Sequence, residues 1–132
     1  YLIAVSLRGI ISQRLIRRLC PTCSKAYTPP EHELKYLGLA QGDYTFHKAI
    51  GCSHCNQTGY KGRIAVHEVL LVTDQIKDMI ARNSTISEIT KLGIDQGMST
   101  LKDESIRLIE QGITSFDEAM EITYTQESSK IV

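Results

Sequence analysis

The sequence carries no excess of charge: 15 Lys and Arg balance 15 Asp and Glu. A generic nucleic-acid binder shows a basic surplus, often with aromatic residues interleaved for stacking, and neither pattern is present. No apolar run approaches the ~20 residues that a membrane-spanning helix needs. The opening YLIAVSLRGI resembles the apolar part of a signal peptide in composition only. No basic segment precedes it, and Arg8 interrupts it. The lack of a targeting signal suits the cytoplasm. A G-x-x-x-x-G-K-[ST] phosphate loop is missing, as is H-E-x-x-H, and no Ser, His and Asp set has a supporting spacing. His67 and Glu68 are neighbours, but in a strand they point to opposite faces and do not share a ligand. Nothing here suggests a self-sufficient enzyme.

What is present is a chain of 132 residues, 42% hydrophobic, enough for one ordinary domain or a small module joined to another. Its first residue is Tyr1 rather than Met, as expected of a piece excised from a longer protein. Ile3, Leu7, Ile11, Leu15 and Leu19 recur every fourth residue, with Ile10 beside them. This spacing is close to the helical period and predicts a buried packing helix over 1–19. Arg14, Arg17 and Arg18 crowd its end, where cations suit the helix dipole, and Pro21 discourages continuation.

Between Cys20 and Arg63 the periodic pattern gives way to proline, glycine and aromatic residues. Pro29-Pro30 can open a short helix through EHELKYLGL, ended by Gly38, and YTFHKAI has strand-like residues. RIAVHEVLLV then reads as a strand. Four helices follow: DQIKDMIAR capped by Thr73, a helix through ITKLG opened by the Thr85/Glu88 capping box, one through STLKDESIRLIEQ stopped by Gly112, and FDEAMEITY capped by Thr114 or Ser115. Met98, Leu101, Leu108 and Ile109 fall on the stripe of the third. The expected fold is α+β, mostly helical. A small tetracysteine module (20–63) is inserted between the long N-terminal helix (1–19) and a strand plus compact helical bundle (64–125). A frayed tail (126–132) ends the chain.

The chemistry lies in Cys20-x-x-Cys23 and Cys52-x-x-Cys55. Two intervening residues let both sulfurs of a pair face one cation from a tight turn, and two such turns make a tetrahedral four-thiolate zinc site. Ser24 and Asn56, just after the pairs, suit a cramped turn, and asparagine tolerates left-handed backbone. Backbone N–H groups in such turns can donate to the thiolates. Arg17, Arg18, Lys25, Lys61 and Arg63 are close in chain order and could balance the charge, or simply form a solvated basic face. Disulfides would need an oxidising compartment, a redox Cys-x-x-Cys would need a thioredoxin-like context, and iron–sulfur cysteines are usually spaced differently. Structural zinc is favoured, with another metal, disulfides or free thiols as alternatives. Four protein ligands leave no open position, so such a metal would stabilise the module without performing chemistry. His32, His47, His54 and His67 are candidate spare ligands or, more simply, surface and packing residues. With zinc coupled to folding, Cys52→Ser is expected to unfold 20–63 and spare the helices after Thr73.

The segments SLRGIISQRLIRRLCPTC and GCSHCNQTGYKGRIAVHEVLLV resemble the C-terminal part of type II secretion and type IV pilus assembly ATPases, the GspE/PilB-like family. MSTLKDESIRLIEQGITSFDEAMEIT is similar to the family's last two helices, and His67 departs from the tyrosine more often expected there. The resemblance implies cytoplasmic ring hexamers, peripheral to the inner membrane, that hydrolyse ATP and drive pilus or pseudopilus assembly through an inner-membrane platform protein. It places the phosphate loop and ATP/Mg chemistry ahead of Tyr1 and makes Cys20, Cys23, Cys52 and Cys55 the metal ligands. Retraction relatives lack the tetracysteine module, so the resemblance favours extension or secretion. Arg14 and Arg63 match the family's QRL and GYxGR motifs and become candidates for contact with nucleotide or a neighbouring subunit, against a structural salt bridge or a cation beside the thiolates. The fragment alone is expected to be a monomer that binds no nucleic acid. The rival readings are a free-standing zinc-ribbon adaptor for protein or nucleic acid, and a redox protein using its Cys-x-x-Cys pairs.

Overall fold

The computed structural model describes residues 6–122. Its elements are β1 (Gly9–Leu19), β2 (Lys25–Tyr27), α1 (Glu31–Leu37), β3 (Phe46–Lys48), a single 3-10 turn (Ser53–Cys55), β4 (Tyr60–Leu71), α2 (Asp74–Ala81), α3 (Ile86–Asp95), α4 (Leu101–Glu110) and α5, described over 116–122. The architecture is α+β. Two antiparallel ribbons, β1 with β4 and β2 with β3, are covered by helices.

Over Gly9–Leu19 the expected N-terminal helix is a strand. Gly9 pairs with Leu71 and the register runs to Arg17 opposite Arg63. The reason is arithmetic. A spacing of four is also a multiple of two, so Ile11, Leu15 and Leu19 fall on one face of a strand as well as on one stripe of a helix. In a helix, five residues so spaced would drift by roughly 160° around the axis, whereas a strand keeps them in phase. The strand also has a β-branched partner in β4, where Ile64 and Val66 lie opposite Ile16 and Arg14. Ahead of the register shift the stripe does not form the buried face either: Ile11 is 67% and Leu15 59% exposed, on the side shared with Val69 and Leu71, and of the three only Leu19 is buried. The other side buries Ile16 and Val66. Ile3 and the tail 126–132 lie outside the described residues.

Near the end of the ribbon the register slips. Between Arg17 and Leu19 there is one residue, and between Tyr60 and Arg63, their partners, there are two. The extra residue of β4 sits at Lys61–Gly62, where Gly62 takes φ +80°. This is a glycine-based β-bulge, a conformation that a side chain would strain.

The helices do not form a free-standing bundle. One core joins Leu34 and Leu37 of α1, Phe46 of β3, Ile109 of α4, and Phe116 and Ala119 of α5. The rings of Tyr27 and Tyr36 pack edge-on to Phe46 and Phe116 at centroid distances of 6.2 and 5.7 Å. A second core joins Ile16 and Val66 of the ribbon to Leu101 and Leu108 of α4 and Ile122 of α5. Helices α4 and α5 thus bury one side against the cysteine-bearing segment and the other against the β1–β4 ribbon. Helix α3 lies against β4 so closely that a Cβ on Gly93 would come within 2.7 Å of the Leu70 side chain.

Local capping explains where the helices start. Thr73 Oγ1 accepts from Ile76 N, and Thr85 and Glu88 exchange bonds as a capping box. A second box, Thr100 with Asp103, opens α4 after Met98, which the sequence pattern had placed inside the helix. Met98 N instead donates to Gly93 O, closing α3. Glu68 Oε1 accepts from Leu101 N and holds that helix start on the ribbon. Of the two candidate caps of α5, Ser115 accepts from Glu118 N, while Thr114 Oγ1 donates to Arg17 O.

One polar lock crosses the structure. Glu118, with a side chain only 5% exposed, accepts from Arg17 N at 2.8 Å and from Arg17 Nε at 2.9 Å, with Nη2 also at 2.8 Å. The Arg17 guanidinium lies 4.0 Å from the centre of the Tyr60 ring, whose hydroxyl bonds Ser115 Oγ. Arg17 therefore grips α5 rather than a helix dipole or the thiols.

Two outcomes follow from this packing. Phe46→Ala, at a fully buried ring, should cost about 3–5 kcal/mol in urea unfolding. Hydrogen exchange should then rise in α4 and α5 together with β2 and β3; a rise confined to β2 and β3 would refute the shared core. Arg17→Ala leaves the buried Glu118 carboxylate without its partner. Because the arginine side chain is half exposed, the cost should fall near 1–2 kcal/mol, read from the same urea midpoints.

Candidate metal centre

The cysteines stand where the β1–β4 ribbon ends. Cys20 follows β1 directly, and its N–H donates to Gly59 O, one residue before β4 begins. The first pair forms one knuckle, in which Ser24 N bonds back to Cys20 O. The second pair forms another, in the 3-10 turn Ser53–Cys55, whose ends cap each other: Cys52 sulfur accepts from Cys55 N, and Cys55 sulfur accepts from Cys52 N at 3.2 Å. The chain leaves this knuckle through two consecutive left-handed residues, Asn56 at φ +54° and Gln57 at +64°. The expected tolerance of asparagine is used here, whereas Ser24 has no left-handed backbone.

All four sulfurs lie within 4.8 Å of one another. Cys20 to Cys52 and Cys23 to Cys55 are 3.8 Å apart, and Cys52 to Cys55 is 3.7 Å. A tetrahedron with Zn–S near 2.3 Å has sulfur–sulfur edges of about 3.8 Å, so the spacing is compatible with structural zinc. Cys20 and Cys55 are buried and Cys23 and Cys52 partly so. None of the four histidines belongs to this cluster.

The site answers thiolate charge with backbone dipoles. Gly51 N donates to Cys23 at 3.3 Å and Gly59 N to Cys55 at 3.1 Å. The amides of Thr22 and Cys23 serve Cys20, and those of His54 and Cys55 serve Cys52. Arg17, Arg18, Lys25, Lys61 and Arg63 make no hydrogen bond to a sulfur among the described residues; Arg17 is on Glu118. Burial alone would raise the Cys55 thiol, but the Cys52 and Gly59 amides and the Cys52 and Cys23 thiols outweigh it and bring it down to about 6. Cys52 goes the other way, up to about 11, through burial and its Cys55 and Cys23 neighbours.

Arg14 and Arg63 lie apart from this cluster. Both are exposed on the ribbon; Arg14 Nη1 donates to Gln13 O, and Arg63 stands opposite Arg17 beside a shallow cleft lined by Thr58, Tyr60 and Gly62. Neither forms a salt bridge among the described residues. Sequence reasoning missed Glu118, the buried partner of Arg17. An acidic residue in the apolar-flanked stretch FDEAM was the available signal, but nothing local named its partner.

Residues 1–121 match the family described as Type II/IV secretion system protein. The chain is 37% identical over 121 residues to the Type IV pilus assembly ATPase PilB of Thermus thermophilus, an alignment covering 89% of this chain and 14% of that protein. It is 33% identical over 124 residues to the Type II secretion system protein E of Pseudomonas aeruginosa, covering 93% of this chain and 24% of that one. With the Putative type II secretion system protein E of Escherichia coli K12 it shares 38% over 126 residues, 92% of this chain and 25% of the relative. The chain thus spans a quarter or less of the length of these relatives.

Gly59 is the most constrained backbone position of the centre. Its φ is +84°, its N–H serves one ligand and its C=O another, and an added Cβ would lie 2.4 Å from the Ala49 Cβ. Gly59→Ala should cost at least ~2 kcal/mol and weaken zinc retention against a chelator; unchanged retention would mean that the knuckle tolerates a shift. Acidification should act in the same direction. Protons compete with zinc for the four thiolates, so release from a zinc-loaded centre, followed with a colorimetric chelator, should increase as pH falls.

Proposed function

Since the chain belongs to the type II/IV secretion system protein family, we propose that it acts as the C-terminal region of a cytoplasmic assembly ATPase. In that setting it supplies a structural zinc module and subunit contacts. The observation that carries the zinc is that three sulfur–sulfur edges are 3.7 to 3.8 Å and all four sulfurs lie within 4.8 Å of one another, against the edge of about 3.8 Å that Zn–S bonds of about 2.3 Å require. Cys20, Cys23, Cys52 and Cys55 would hold the ion, closing its coordination sphere, so the metal joins the two knuckles and takes no part in hydrolysis.

The ATP chemistry, with Mg, belongs in this reading to a phosphate loop elsewhere in the longer protein, since the chain has no such motif. Two features support a role inside something larger. The alignments cover a quarter or less of each relative, and the outer face of the β1–β4 ribbon leaves Ile11, Leu15, Val69 and Leu71 exposed, a stripe of the kind that marks a contact surface. We assign the larger assembly as a ring hexamer, peripheral to the inner membrane, working on a platform protein in pilus extension or type II secretion. Arg14 and Arg63, exposed and without salt bridges among the described residues, are the cations available for nucleotide or a neighbouring subunit. No described helix is long and apolar enough to cross a membrane. By itself the chain is expected to be monomeric. Family membership disfavours the free-standing adaptor.

Metal analysis of the purified chain should give one zinc per chain and no titratable thiol until a chelator is added. A metal-free protein with four freely titrating thiols would end the zinc reading. A G-x-x-x-x-G-K-[ST] loop in the coding sequence ahead of Tyr1 is the expected companion, and its absence would end the ATPase reading. Cys52→Ser should release the metal. Because α4 and α5 share a core with α1 and β3, amide protection should fall in those helices as well as in 20–63, while α2 and α3 keep theirs.

A further inference from the structure

The four sulfurs are not equivalent in access or in proximity. Cys23 and Cys52, one from each pair, are only partly buried, while Cys20 and Cys55 are shielded. The short approaches between the pairs, Cys20 to Cys52 and Cys23 to Cys55, are both 3.8 Å and together use every sulfur once. Within the pairs, Cys52 and Cys55 are 3.7 Å apart. Coupling those two would leave Cys20 and Cys23 to each other, and the two knuckles without a bond between them.

From this arrangement we propose that the centre is a peroxide-sensitive zinc switch that closes into two bridges between the knuckles, Cys20–Cys52 and Cys23–Cys55. The inference rests on the zinc reading above. Hydrogen peroxide reaches a partly exposed sulfur, at Cys23 or Cys52. The thiolate attacks one peroxide oxygen, the O–O bond breaks, and a sulfenic acid and hydroxide form. The shielded thiolate 3.8 Å away, Cys55 for Cys23 or Cys20 for Cys52, then attacks the sulfenic sulfur. An S–S bond forms and the hydroxyl leaves as hydroxide. Each bridge consumes one peroxide, two sulfurs being oxidised and two oxygens reduced, and the zinc ion leaves once its thiolates are gone. Bridges between the knuckles keep the two turns joined after the metal departs. Bridges within the pairs would leave them unlinked.

The test uses the zinc-loaded full chain. Zinc content is measured first; its absence counts against the zinc reading alone, and the bridge map is then made on the reduced, metal-free chain. Peroxide is added, released zinc is followed with a colorimetric chelator, and remaining thiols are blocked in acid before digestion and peptide mapping. Zinc should leave in step with the loss of all four thiols, peptides joining Cys20 to Cys52 and Cys23 to Cys55 should dominate, and dithiothreitol with added zinc should restore the starting state. Dominant Cys20–Cys23 and Cys52–Cys55 bridges would overturn the proposal. So would sulfinic acids without bridges, or zinc that stays bound while the methionines oxidise.

Discussion

The fold turns on one geometric demand: four sulfurs from two distant turns must meet at the corners of one small tetrahedron. The β1–β4 ribbon makes the meeting cheap. β1 ends at Leu19 and β4 begins at Tyr60, and these two residues are paired. Cys20 and Gly59 are therefore already neighbours, joined by the Cys20 N to Gly59 O bond. The same Gly59 donates to the Cys55 sulfur. Strand pairing and sulfur convergence are thus one junction, and the segment between the cysteine pairs is a loop pinned at its base.

That loop is not a separate body. α1 and β3 place Leu34, Leu37 and Phe46 against Ile109, Phe116 and Ala119, while α4 and α5 turn Leu101, Leu108 and Ile122 toward Ile16 and Val66. The two helices are the common wall of both cores. Glu118 reinforces the wall from within, since its carboxylate is held by both the backbone and the side chain of Arg17, three residues before the first cysteine.

Much of this was legible in the sequence where the signal was local. The cysteine pairs, the caps at Thr73, Thr85 and Ser115, the left-handed Asn56 and the stop at Gly38 each depend on residues within one turn of each other, and each stands in the structure. The strand β4 was readable from its β-branched residues. The strand β1 was not, because a spacing of four satisfies both periods and the deciding partner lies about forty residues or more away in the chain. Met98 was misplaced for a related reason: it continues the apolar spacing, but the Thr100–Asp103 capping box starts the helix after it. The narrow stripes of the last helices predicted a bundle. They are equally suited to a sheet, and only the position of the ribbon decides. The pairing of Arg17 with Glu118 spans most of the chain and leaves no local trace.

The electrostatics of the centre separate it from the cations around it. Four thiolates and a divalent ion carry about two net negative charges, and basic residues crowd the neighbouring sequence. The obvious inference is that they neutralise the site. Instead, backbone amides point at the sulfurs, fixed dipoles that need no ordering of long side chains. Arg17 is spent on Glu118, which leaves Arg14 and Arg63 on the ribbon with no salt bridge among the described residues. The ribbon also exposes Ile11, Leu15, Val69 and Leu71. None of the ribbon's exposed cations or apolar side chains contributes a bond to the sulfurs among the described residues.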